Sequence, residues 1–209
     1  MNIAVCITSR GYIYTKVIES VLENLRGLNF ELFASSDLPI PDCMNSVTDR
    51  ALASQPDFIW YVEEDTVPPN CLTEMIKKDV DYIAVDYPVY TGHSCFGYYN
   101  GELYWTGFGC TLVKPKIFDL FKRPYFRSDM SLKMEEENGK TIFTPTKFPS
   151  IYGGHDIYFG WTLREAGVVL TPFRGECEHL RIAEQGKGKV NDGCHLIYAK
   201  EEIKDKWYQ

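Results

Sequence analysis

Long apolar runs are missing from this sequence. The longest, such as FIWYV at 58–62, stop far short of the roughly 20 residues that a membrane-spanning helix needs, so no transmembrane segment is expected. Basic charge is in deficit as well. Lys and Arg number 22 against 29 Asp and Glu, a formal net charge of -7, which excludes a polyanion binder held by bulk charge while leaving room for a local basic patch. The seven cysteines, at 6, 43, 71, 95, 110, 177 and 194, form no C-x-x-C pair and no evident disulfide framework. No glycine-rich, lysine-containing loop follows the first apolar segment, which argues against a triphosphate cradle. Internal repeats and long linkers are lacking too. The amino-terminal MNIAVCITSRGY carries no basic leader and no long apolar stretch before a small-residue cleavage site. The expectation is a cytoplasmic protein with reduced thiols and no integral membrane association.

What is there suits one folded domain: 209 residues, 44% hydrophobic and 14% aromatic. Residues 3–7, IAVCI, read as a strand buried on both faces, ending in the polar turn TSRG. TKVIESVLENLRG places Val17, Val21 and Leu25 on one helical face with Ile18 and Leu22 beside them, and Gly27 marks the stop. A second strand at 30–34 precedes a helix expected after Asp42, with Met44, Val47, Ala51 and Leu52 inward. DFIWYV at 57–62 runs straight into Glu63, Glu64 and Asp65, a helix with Leu72, Met75 and Ile76 inward comes next, and a fourth strand is expected over 81–90. Strands alternating with helices predict an α/β fold with a mainly parallel sheet flanked by helices, and ligands at the carboxyl ends of its strands.

After residue 90 the pattern changes. Glycine and aromatic residues alternate around turn signals, predicting one or two antiparallel hairpins, and Asn138-Gly139 predicts another with a type I′ turn between a helix at 115–122 and the next. That next helix has Ile157, Trp161 and Leu163 to bury and stops at Gly167, and a short strand, EHLR, the loop QGKGKVNDG and a final charged helix are expected beyond it.

Three carboxylates in a row after a buried strand raise one another's pKa unless a cation neutralises them. Carboxylate oxygens suit Mg²⁺ or Mn²⁺, metals that bridge protein to substrate phosphates. A solvated acidic loop is the alternative for E-E-D taken alone.

Four segments in order, IPDCMNSVTDRALASQPDFIWYVEEDTVPPNCLTEMI, DYIAVDYPVY, WTGFGCTLVKPKIFDLF and GGHDIYFGWTLREAGVVL, resemble successive segments of the GT-A glycosyltransferases, especially the family-2-like group. Glu63–Asp65 stand where that family has D-x-D, and G-H-D stands where it has G-E-D. The resemblance implies a Rossmann-like GT-A domain over 1–209, with a nucleotide-sugar-binding half at 1–90 and an acceptor-side half and C-terminal lid at 91–209. It implies metal-dependent, inverting transfer of a sugar from a nucleotide diphosphate sugar, a UDP-sugar being the expected donor. The acceptor hydroxyl would belong to a glycan, a lipid-linked sugar or a hydroxymethylated DNA base. Glu63, Asp65 and His179 would hold Mn²⁺ or Mg²⁺, and Asp156 would be the general base. Thr8, Arg10, Asp37, Asn45 and Glu64 would contact the nucleotide, and Arg181, Lys187 and Lys189 would close on its diphosphate. Trp105, Gly107 and His155 fall on the acceptor side, where Tyr104 and Phe108 offer further aromatic faces.

The sequence departs from the family at Glu63, where Asp is usual, at Met44, where Arg often precedes the asparagine, and at His155, where Glu is usual. Simpler roles stand beside the implied ones. Asp156 suits a helix N-cap, Thr8 and Asp37 suit turns, Arg181, Lys187 and Lys189 suit a solvated basic loop, and the aromatics suit packing. A zinc site from Cys177, His179, Cys194 and His195 would have spacing unlike the usual paired-ligand patterns. A non-catalytic sugar-nucleotide-binding module and a nucleotidyltransferase on a related sheet are the rival functions.

Overall fold

The IAVCI run forms β1 (Ile3–Thr8), whose six residues are all buried, as a strand covered on both faces must be. It belongs to a computed structural model that describes residues 1–9, 11–35, 40–89, 93–127, 129–147 and 154–180. Helix α1 (Thr15–Asn24) turns Val17 and Val21 inward and leads to β2 (Phe30–Ser35), parallel to β1. Leu22, expected beside the buried face, is 56% exposed instead. Helix α2 (Ile40–Ala53) starts two residues before Asp42, so that Asp42 lies in its first turn. Strand β3 (Phe58–Glu63) then lies parallel to β1 on its other side.

A two-residue strand β4 (Thr66–Val67), helix α3 (Leu72–Lys77) and strand β5 (Tyr82–Asp86) follow. Strand β5 is shorter than the expected 81–90. Its last carboxylate accepts from Tyr87 N–H (2.8 Å), Cys95 N–H (3.1 Å) and Ser94 Oγ (2.6 Å), which turns the chain out of the sheet. The expected hairpin is β6 (Gly97–Tyr99) with β7 (Glu102–Trp105).

Strand β8 (Cys110–Val113) does not extend that hairpin. It inserts antiparallel between β3 and β5, because all four of its residues are buried and need cover on both faces. A 3₁₀ turn, Pro115–Leu120, stands where a helix was expected. Strands β9 (Met130–Glu137) and β10 (Lys140–Lys147) form the second hairpin, closed as expected by Asn138 and Gly139 at φ of 53° and 73°.

Helix α4 (His155–Glu165) buries Phe159 and Leu163, while Ile157 and Trp161, expected inward, are half-buried. The Phe159 ring stacks on Phe121 at 4.5 Å and Phe126 at 4.6 Å. Strand β11 (Thr171–Glu176) completes a six-stranded sheet of order β11-β5-β8-β3-β1-β2, parallel but for β8. A last short strand, β12 (Glu178–His179), pairs with β4. The six described cysteines are buried and form no disulfide. Among the described residues no helix is long and apolar enough to cross a membrane.

Candidate functional site

The carboxyl ends of β1, β3 and β5 lie together, and β8, running the other way, begins there. Thr8 closes β1 in register with Glu63 on one side and Ser35 on the other, and it is buried. Glu63 is half-buried, but Glu64 and Asp65 are each only 1% exposed. This burial speaks against a solvated acidic loop, the alternative for E-E-D taken alone. The turn folds inward because its backbone is bridged: Tyr14 N–H donates to the Glu64 carbonyl at 3.1 Å and Leu180 N–H to the Asp65 carbonyl at 2.9 Å. Carboxylates taken out of water need a compensating positive charge.

His179 faces Asp65. The pairing of β12 with β4 sets it opposite Thr66. Its Nδ1 lies 2.7 Å from the Pro88 carbonyl, which can only accept, so Nδ1 carries the hydrogen and Nε2 faces Asp65 Oδ2 at 3.5 Å. Burial pulls the imidazole pKa down, but the Asp65 hydrogen bond and charge, the Pro88 carbonyl and the Glu63 charge together outweigh it and raise it above the ordinary value.

By ligand type, hard carboxylate oxygens and an imidazole whose Nδ1–H is already engaged are suited to Mn²⁺ or Mg²⁺. Thr66 Oγ1, fully buried beside them, has no hydrogen-bond partner among the described residues, another polar atom that calls for one. Among the described residues no three His, Cys, Asp or Glu side chains are already gathered around one point. Phosphate oxygens and water would therefore have to complete the shell.

Tyr87, one residue past β5, joins the pieces and is absent from the sequence-based site. Its hydroxyl donates to Glu63 Oε2 at 3.3 Å and accepts from Gly109 N–H at 3.3 Å. The ring stands edge-on to His179, with centroids 5.5 Å apart and planes at 85°. Its pKa lies well above the ordinary tyrosine value, through burial first and then the charges of Glu63, Cys95 and Asp156. The phenol is thus a neutral donor to Glu63. A signal was present in the sequence, a tyrosine at a strand end and the pair Gly107-Phe108-Gly109, but nothing in it said they meet. A Cβ on Gly107 would overlap the Tyr87 hydroxyl, and one on Gly109 would stand 2.7 Å from Tyr87 Cε1. Gly107 therefore makes room for Tyr87 instead of lining an acceptor surface.

Asp156 is the second residue of α4. The N-cap is Gly154, at φ 72°, so Asp156 is not the cap; its Oδ1 accepts from Ile157 N–H at 2.9 Å. His155 beside it is 7% exposed and packs edge-on to Phe126 at 6.4 Å. Burial lowers its pKa against the opposing pull of Asp156, keeping the ring neutral, and its Nδ1 has no partner among the described residues. Its burial removes His155 from the acceptor face where it was expected.

Asn45 is also corrected. It is 4% exposed, and its amide donates to the carbonyls of Pro41 (2.7 Å) and Phe126 (2.8 Å) while its oxygen accepts from Tyr125 N–H (2.8 Å) and Phe126 N–H (3.2 Å). With every polar site engaged by backbone, it holds the 125–126 segment and leaves no group for a nucleotide. The expected aromatic platform is used for packing. Phe108 is core, against Tyr61, Tyr82, Phe126 and Phe159. Trp105 packs on Tyr99 (5.1 Å) and Phe143 (5.6 Å) and lies across Gly97, whose added Cβ would overlap its ring. The Arg164 guanidinium sits 3.9 Å from the Tyr104 centroid. Arg10, Asp37, Arg181, Lys187 and Lys189, with Cys194 and His195 of the zinc alternative, lie outside the described residues.

No protein-family model matches the sequence. No curated protein matches it either. The structure is similar to the crystal structure of A197 from STIV, with a TM-score of 0.54 and 16% identity over 85% of this chain and 81% of that one. The likeness supports a mixed α/β, Rossmann-like fold with a mainly parallel central sheet.

Proposed function

We propose that the protein is a metal-dependent, inverting glycosyltransferase of the GT-A type, moving a sugar from a nucleotide diphosphate sugar, with a UDP-sugar as donor, to an acceptor hydroxyl. One observation carries it: Tyr87 binds Glu63 at 3.3 Å and packs on His179, whose Nε2 faces Asp65 at 3.5 Å. The carboxylates suited to a metal thus lie with His179 at the strand ends where α/β sheets bind ligands, and Asp156, in the first turn of α4, is the carboxylate suited to a base.

Glu63, Asp65 and His179 would hold Mn²⁺ or Mg²⁺. When bound, the ion supplies Lewis-acid stabilisation of the charge on the departing diphosphate. Thr8, in register with Glu63, would border the nucleotide. The Asp156 carboxylate takes the proton of the acceptor hydroxyl as that oxygen bonds to the anomeric carbon. The bond from this carbon to the diphosphate oxygen breaks, and its electron pair leaves with the nucleotide. Attack from the face opposite the leaving group inverts the anomeric centre. The acceptor is a glycan, a lipid-linked sugar or a hydroxymethylated DNA base. A non-catalytic sugar-nucleotide-binding module is the second reading, favoured by the lack of a three-ligand cluster among the described residues.

The test is nucleotide release from a panel of UDP-sugars with Mn²⁺ and candidate acceptors, in wild type and in Asp156→Asn. Asn can still accept from Ile157 N–H, so UDP affinity and thermal stability should hold while turnover falls by about 10²- to 10⁴-fold. Wild-type turnover in the variant would remove Asp156 as base. Binding of UDP without release by the wild type would favour the binding module, and a product that keeps the donor's anomeric configuration would overturn inversion.

A further inference from the structure

We infer that Tyr87-Pro88 is a clamp that orients two of the proposed metal ligands, with Tyr87 as a positioning residue; this rests on the metal site proposed above. The two residues are adjacent in the chain but hold side chains from different elements. Tyr87 hydroxyl binds Glu63 of β3, and the Pro88 carbonyl binds His179 Nδ1 of β12. The polarity of each contact is fixed. Gly109 N–H can only donate to the phenol oxygen, so the single phenol hydrogen goes to the Glu63 carboxylate. The Pro88 carbonyl can only accept, so His179 carries its hydrogen on Nδ1 and directs Nε2 toward Asp65. Hydrogen bonds of this kind fix the orientation of metal-binding carboxylates and imidazoles and raise their basicity.

The clamp is itself braced. Gly107 and Gly109 leave space for the Tyr87 side chain, since a Cβ on either would meet it, and one on Gly109 would meet Thr66 as well. Asp86 binds Tyr87 N–H and Cys95 N–H on one oxygen, and Cys95 N–H also donates to the Tyr87 carbonyl at 3.0 Å. Neither residue touches a substrate in this scheme. Their effect passes through Glu63 and His179.

The experiment is Mn²⁺ binding by electron paramagnetic resonance and calorimetry, without and with UDP, in wild type, Tyr87→Phe, Gly107→Ala and the control Ile117→Val. Tyr87→Phe keeps the ring against His179 and removes only the hydroxyl. Its Mn²⁺ dissociation constant should rise by about 10- to 100-fold, the usual cost of losing such a partner. Gly107→Ala, which displaces the hydroxyl without altering it, should change affinity in the same direction. Ile117→Val loosens the buried 3₁₀ turn at the opposite end of β8 and should leave Mn²⁺ affinity within about twofold, small against the loss expected at the clamp. Wild-type affinity in a folded Tyr87→Phe protein overturns the clamp alone, and Gly107→Ala decides if that variant does not fold. No Mn²⁺ binding by the wild type in either condition overturns the metal site and the clamp with it.

Discussion

Asn45 and Asp156 are both short polar residues that the resemblance assigns to the site, and their surroundings separate them. Asn45 is saturated by four backbone contacts, two of them with amide hydrogens and one with a carbonyl about 80 residues along the chain. Asn45→Ala would strand these groups in the core, where each unsatisfied one costs about 1–3 kcal/mol. Thermal denaturation should therefore show a loss of roughly 2–3 kcal/mol, with UDP affinity of the folded variant unchanged. Lost affinity at full stability would return Asn45 to the nucleotide. Asp156 accepts from Ile157 N–H and remains half-buried in the first turn of α4. Its place at the start of α4 was legible in the sequence, whereas the saturation of Asn45 was not, because its partners come from a segment that local pattern cannot bring near. Burial of His155 and Asp65 was hidden for the same reason.

Helix α4 holds Asp156 in place through its packing on β7. Gly160 makes this contact close: an added Cβ would stand 2.8 Å from Trp105 Cα and Cβ and 2.9 Å from the Tyr104 carbonyl oxygen. Backbone cannot yield as a flexible side chain can, so Gly160→Ala should push the helix away and cost about 1–3 kcal/mol as overpacking, measured by chemical denaturation. Turnover should fall with it while Mn²⁺ affinity holds, since Glu63, Asp65 and His179 lie on other elements. A fully stable and active Gly160→Ala protein would show that α4 is not held this way. Elements with a strong period were readable, as in β1, β3 and the inward face of α1. Strand β8 was not, for a four-residue apolar run carries no sign of direction or neighbours, and its insertion between β3 and β5 is fixed only when both faces find cover. The early end of β5 depends on the Asp86 side chain, which periodicity does not register.

Across the whole molecule, alternation of strands and helices was enough to predict a mainly parallel sheet, and the strand order and the fold likeness agree with that expectation. Tyr87 escaped because its role needs the reversed β8, which delivers Gly107 and Gly109 to the same end as Glu63. With a formal net charge of -7 and three consecutive carboxylates at that end, a diphosphate would be repelled unless a cation intervened. The central claim is therefore that nucleotide binding requires a divalent metal. Calorimetric titration of UDP into the protein, once with Mn²⁺ and once in excess EDTA, tests it most directly. Saturable binding with Mn²⁺ that disappears in EDTA is the expected result. UDP affinity unchanged by EDTA, or no binding of UDP under either condition, would contradict the account.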